Sequence, residues 1–290
     1  VLAAALAAVA VATSACGANA GLATAHAPAT PRTPAAAATS RAASAASAGA
    51  APRTAAPARS AAKASSAQHT SALPLAGKIV GIDPGHNGRN GTDPAYLSQQ
   101  VWNGRAWENC DTAGTQTDGG YPEALFNFRV ASFLRGDLLR DGARVVLTRT
   151  SNDGLGPCVN TRASIINDGH ANVAVDIHAD GGPASGRGFA ILEPVADGPN
   201  DAVVTASERL GSDIRQAFLA GTSMPVSSYD GIGGITQRDD LAGLNLTRVP
   251  KVLIECGNMR NATDAALLTS TAFQEQVARA FEAAIIRFLS

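Results

Sequence analysis

The first 77 residues contain no Asp, no Glu and no aromatic residue, but 34 alanines and five basic residues (Arg32, Arg41, Arg53, Arg59 and Lys63). Such a stretch cannot bury enough apolar surface to offset the entropy of ordering, which confines any folded domain to residues 78–290. Residues 2–12 form an uncharged apolar run of signal-peptide length, short of the ~20 residues that span a bilayer. Ser14-Ala15-Cys16 reads as the end of a lipidation motif, and Ala18-Asn19-Ala20 as a cleavage site before Gly21. Residues 1–20 are therefore expected to be a signal or lipoprotein-type segment, with Cys16 offering a membrane tether. Residues 21–77 are expected to be a disordered Ala/Pro/Ser/Thr linker. The expected location is extracytoplasmic, lipid-anchored or secreted.

Residues 78–290 carry 18 basic and 24 acidic residues, a net charge of −6. That balance excludes general nucleic-acid binding, which needs clustered Lys and Arg to release counterions. No second long apolar run follows the N-terminus, which excludes a multi-span membrane protein. Hydrophobic spacing predicts strands at 78–83, 143–148, 172–178, 188–193 and 250–256. Helices are predicted from Pro122 to just before Asp141-Gly142, over 158–169 and over 203–220. A last helix carries Phe273, Val277, Ala280, Phe281, Ala284, Ile285 and Phe288 at helical spacing. This alternation predicts a single α/β domain: a mostly parallel twisted sheet with helices on both faces.

Residues 94–120 interrupt the alternation and hold both tryptophans, Trp102 and Trp107. Asn103-Gly104 between two short arms is the pair that a tight two-residue hairpin turn prefers, so a hairpin-like insertion is expected. Its aromatics either form a lid or sugar-stacking wall beside an active site, or pack on the domain and touch no ligand.

The domain holds three histidines. His86 follows the first predicted strand and His178 ends the third, and ligands of open α/β sheets bind beyond the carboxyl ends of strands. His170 falls in a turn and is read as structural or exposed. Two imidazoles at one sheet edge can share a metal, and a hydrolytic zinc site needs three protein ligands plus an open position for water. Two carboxylates reach the same edge: Glu123 at a helix start, and Glu255 at the end of the fifth strand after Val252-Leu253-Ile254. Glu255 is either a further ligand or a general base aimed at bound water. Glu108 and Asp118 stand in reserve should Glu123 lie elsewhere. Asp83 is expected to bond to the turn that follows it.

These residues sit in motifs that resemble the amidase-3 family of zinc-dependent N-acetylmuramoyl-L-alanine amidases, the bacterial cell-wall amidases. Asp83-Pro84-Gly85-His86-Asn87-Gly88 resembles its first metal motif, and Gly120-Tyr121-Pro122-Glu123 its Gly-x-x-Glu element. Thr148-Arg149 with Asp153, and the Arg-containing helix from Arg162 to Asn167, resemble two further elements. Asp176-Ile177-His178-Ala179-Asp180 is similar to the strand carrying the second histidine, with Asp176 where the family usually has Ser. Val252-Leu253-Ile254-Glu255-Cys256-Gly257, with Asn261 and Asp264, resembles the closing element, with Asn258 in place of the usual aromatic. The match runs through 78–290 in the family's order, with a longer gap between His86 and Glu123.

The resemblance implies one Zn2+ held by His86, Glu123 and His178, with Glu255 as the catalytic general base. The bond cut would be the amide between N-acetylmuramic acid and the L-alanine of the stem peptide, in peptidoglycan or muropeptide fragments. The alternatives are a zinc hydrolase of another cell-wall amide and a non-catalytic wall-binding module. Cys110 ends the insertion and Cys158 precedes a helix, and an exported protein can keep a disulfide. A Cys110–Cys158 bridge is therefore expected to staple the insertion to the body. Cys256 lacks an assignable His base and is read as core packing. The chain is read as a monomer.

Overall fold

The computed structural model describes residues 73–290; the expected export segment, Cys16 and the linker as far as residue 72 lie outside the described residues. Residues 73–77 close onto the body. Leu75 is fully buried and its N–H donates to the Asp141 carbonyl, so the folded part starts ahead of Lys78. No helix among the described residues is long and apolar enough to cross a membrane.

In chain order the elements are β1 (Ile79–Pro84), α1 (Pro94–Leu97), β2 (Gln100–Trp102), β3 (Trp107–Asn109), α2 (Glu123–Arg140), β4 (Arg144–Leu147), α3 (Val159–Asp168), β5 (Val173–Asp180), β6 (Ala190–Pro194), α4 (Val204–Gly221), β7 (Ile235–Arg238), α5 (Ala242–Asn245), β8 (Lys251–Asn258), α6 (Ala262–Leu268) and α7 (Thr271–Leu289). The main sheet runs β4-β1-β5-β8-β6-β7. Pairing is parallel from β4 to β8, antiparallel between β8 and β6, and parallel again between β6 and β7. The result is the expected single α/β domain with a mostly parallel sheet.

The period-two alternation of strands sorts the side chains onto two faces. In β5, Val173, Val175 and Ile177 point one way, and Ala174, Asp176 and His178 the other. In β8, Val252, Ile254 and Cys256 oppose Lys251, Leu253 and Glu255. The first set joins Val80 and Ile82 beneath α2, α4 and α7, in the main core with Phe126, Leu134, Phe218, Phe281 and Ile285. The second set faces α3 and α5 across two small apolar clusters, one around Ile166 and Ala174, the other around Leu192, Leu244 and Leu253. Cys256 packs in the main core as read from the sequence, and burial pushes its thiol pKa well up.

Three elements fall outside the sequence reading: β7, α5 and α6 are short and take their order from neighbours rather than from periodicity. The insertion also departs from it. It contains a helical turn, α1, with Pro94 at its start and the Asp93 side chain accepting from the Tyr96 N–H at 2.9 Å. Its ribbon pairs Trp102 with Trp107, so the connection is a four-residue loop, 103–106, and not a two-residue Asn-Gly turn. The Asn103 side chain closes that loop by accepting from the N–H groups of Arg105 (2.9 Å) and Ala106 (2.7 Å).

Candidate active site

The turn after β1 presents His86 at φ 55°, in the left-handed region. Two buried arginines hold it there. Arg149 donates from Nε to the Pro84 carbonyl (2.8 Å) and from Nη2 to that of Gly85 (3.1 Å). Arg162 donates from Nη1 to the Pro84 carbonyl (2.9 Å) and from Nη2 to that of His86 (2.8 Å). Gly85 leaves no room for a side chain, because a Cβ there would lie 2.2 Å from the His178 ring.

Asp83 does not bond to its own turn. Its carboxylate accepts from Thr148 Oγ1 (2.6 Å), Arg162 Nη1 (3.0 Å) and Lys251 Nζ (2.8 Å), because its side chain enters the sheet face beneath α3. Burial alone would raise its pKa, but Lys251 and Arg162 hold the carboxyl far below the usual range. Lys251, itself buried, also reaches Asp176 at 3.1 Å.

Above this network the predicted residues converge. Glu123 Oε2 lies 3.2 Å from His86 Nε2, and Glu123 Oε1 lies 2.9 Å from His178 Nδ1. One ligand atom from each of the three falls within 4.8 Å of the others. Burial favours the neutral acid at Glu123, yet the two imidazoles keep its carboxyl well below the ordinary value. Burial likewise pulls the His86 pKa down, and Glu123 and Asp111 outweigh it, raising it to about 9.

The outer ring nitrogens have acceptors that the sequence reading did not name. His86 Nδ1 stands 3.0 Å from Asp111 Oδ1, and His178 Nε2 stands 3.4 Å from Asp176 Oδ1. Asp111 belongs to the insertion and follows Cys110, which forms the expected disulfide with Cys158. Its other oxygen meets Arg162 Nη2 at 3.4 Å, so the staple delivers a carboxylate between His86 and the arginine. Its one sequence signal was adjacency to Cys110. That of Asp176 was its place two residues before His178, on the same strand face.

Glu255 pairs in register with His178 across β8 and β5. Its Oε2 is buried with no hydrogen-bond partner among the described residues. Burial pushes the carboxyl up to about 8; His178 opposes the shift, and Glu123 and Asp180 add to it. Glu255 lines a cavity of about 570 Å³ together with His86, Glu123, His178 and Arg238. Of the reserve carboxylates, Glu108 lines the cavity wall outside the three-residue cluster, while Asp118 is 75% exposed and pairs with Arg260. His170 is exposed, as read.

Two imidazoles and an ionised carboxylate, converging beside an open cavity, match the donor set of a hydrolytic zinc ion. Fold and cluster together define a class: a hydrolase whose metal-type site sits at the carboxyl rim of a parallel sheet. Comparison with known proteins narrows it. The N-acetylmuramoyl-L-alanine amidase model, amidase-3, matches residues 80–287. An N-acetylmuramoyl-L-alanine amidase of Mycobacterium tuberculosis is 40% identical over 223 residues, covering 76% of this chain and 90% of that protein. The crystal structure of the N-acetylmuramyl-L-alanine amidase Ami1 from Mycobacterium smegmatis superposes with a TM-score of 0.70 at 40% identity, over 74% of this chain and 98% of that one. The apo form of Ami1 from Mycobacterium abscessus gives 0.70 at 41% identity, over 74% and 100%. The chain belongs to the amidase-3 family of N-acetylmuramoyl-L-alanine amidases.

Proposed function

We propose that the protein is a peptidoglycan hydrolase that cleaves the amide between N-acetylmuramic acid and the L-alanine of the stem peptide. In this reading one zinc ion is held by His86, Glu123 and His178. The observation that carries it is their convergence within 4.8 Å, beside the unpartnered Glu255 carboxylate. When bound, zinc supplies a water of lowered pKa and polarises the amide carbonyl. Asp111 and Asp176 hold the outer nitrogens of the two histidines, which keeps the inner nitrogens aimed at one point. Glu255 takes a proton from the attacking water and delivers it to the departing alanine nitrogen, a role worth ~10²–10⁴-fold. A C–O bond forms at the lactyl carbonyl as the C–N bond breaks. The protein works outside the cytoplasm as a monomer, exported by residues 1–20, lipid-anchored through Cys16 or secreted.

A digest of defined muropeptides, read by product mass, tests this. The expected products are the free disaccharide acid and an intact stem peptide, formed without chelator and not with it. Stem-peptide fragments would instead assign a different wall amide, and unchanged substrate a binding module.

A further inference from the structure

We propose that the outer face of the β2–β3 ribbon is a docking platform for the glycan strand of the polymeric wall, distinct from the catalytic cavity. The proposal rests on the peptidoglycan reading above. Trp102 and Trp107 are cross-strand partners, and one same-face step towards the ribbon's base Gln100 pairs with Asn109. All four are exposed, whereas Val101 and Glu108, on the opposite face, are half-buried. The indole rings meet edge to face with centroids 5.7 Å apart; Trp107 is 67% exposed and Trp102 43%. Beside them Gln100 Nε2 donates to Asn109 Oδ1 at 2.6 Å. The face therefore offers an aromatic step flanked by amides and bears no charge. Single exposed apolar residues are ordinary, but a paired aromatic patch marks a contact surface. Its chemistry fits a sugar: C–H faces of a pyranose pack on indole, and hydroxyl and acetamido groups bond to amides.

Neither tryptophan lines the catalytic cavity, but Asn109 does, so the platform runs on to the cavity rim. Its two rows lie ~7 Å apart, two residues of strand. The ribbon is fixed at both ends. At its base Cys110 is bridged to Cys158. At its tip Arg105 pairs with Asp197 and Asp239, and Asn103 Nδ2 donates to the Asp240 carbonyl at 3.2 Å. An ordered ribbon loses little freedom when a ligand lands on it. A second copy of the chain is the poorer occupant. Two indoles bury at most ~500 Å², short of the ~800 Å² per partner of a stable protein interface.

The chain has only these two tryptophans, so intrinsic tryptophan fluorescence reports on the platform alone. Titration with peptide-free N-acetylglucosamine oligomers is expected to quench and blue-shift the emission. The Trp102→Ala/Trp107→Ala protein, whose changes lie on an exposed face, is expected to keep its melting temperature and its turnover of soluble muropeptide. It should lose at least about tenfold in co-sedimentation with insoluble sacculi, since removing even one anchor aromatic has that effect. Unchanged emission with the oligomers, or unchanged sacculus binding by the double variant, would overturn the proposal. So would tryptophan-dependent self-association in sedimentation, which assigns the face to a second copy. Failure of the amidase reading would look different: the wild-type protein would leave soluble muropeptide uncut, whatever the fluorescence did.

Discussion

On one face of the sheet the strands offer Val80, Ile82, Val175, Ile177, Val252 and Ile254 to three helices. On the other, the same strands offer Asp83, Asp176, His178, Lys251 and Glu255. The first face is stabilised by area, at roughly 25 cal/mol per Å² of apolar surface buried. The second forgoes that area and has to pair what it buries. Lys251 answers Asp83 and Asp176, and Arg162 answers Asp83 and Asp111. Of these five strand residues only Glu255 keeps a buried oxygen without a partner, and it lines the cavity. One set of strands serves both purposes because its side-chain period is two: His178 and Glu255 each have an apolar neighbour, Ile177 and Ile254, anchoring the same strand from the far side.

The largest effect should fall on that unpartnered acid. Glu255→Gln is expected to lower kcat by ~10²–10⁴-fold, while the melting temperature holds or rises, since a buried carboxylate becomes a neutral amide. A matching loss of stability would place Glu255 among the structural charges.

Next comes the pairing itself, probed on β8. Lys251→Met leaves Asp83 and Asp176 facing each other, and urea unfolding should show a loss of ~3–5 kcal/mol. Ile254→Val, on the opposite face of the same strand, should cost only ~0.5–1.5 kcal/mol. Equal costs would erase the distinction between the faces. Adding Asp176→Ser to Lys251→Met should restore part of the loss.

A smaller effect is expected where the insertion touches the charged face. Asp111→Asn should weaken zinc binding ~10–100-fold, measured by chelator competition, with the disulfide intact. Unchanged affinity would leave the insertion without a part in holding His86.

The smallest lies on β6, next to the sheet's edge strand β7. Burial pushes the Glu193 carboxyl from 4.5 up to about 7, and Glu208 adds to the shift. A carboxyl raised in the folded state contributes its full stability below its ordinary pKa and loses it as pH rises through the folded value. Glu193→Gln should therefore raise the melting temperature at about pH 8.5 and leave it unchanged near pH 4. An equal change at both values would mean that packing, not charge, decides.

The sequence revealed the elements whose period is long enough to read, α2, α7, β5 and β8 above all. It also revealed the four residues that strand ends and a helix start deliver to one rim: His86, Glu123, His178 and Glu255. It did not reveal what holds them. Nothing in the sequence marks Lys251, at the head of a strand, as buried; β1 and β5 bring Asp83 and Asp176 to it. Asp111 depends on the path of the insertion and the position of its disulfide, neither of which periodicity encodes. Asn103-Gly104 misled because the Asn103 side chain closes a longer loop on its own. Asn261 and Asp264, matched as motif residues, do structural work. Asn261 caps α6, and buried Asp264 accepts from the Gly188 N–H at 2.6 Å.

The most direct measurement is zinc content by elemental analysis, on the wild-type protein and on His86→Ala, Glu123→Ala and His178→Ala, each checked for folding by circular dichroism. One zinc per wild-type chain, lost from each folded variant, is the predicted result. Zinc retained at one per chain in all three variants would contradict the shared site.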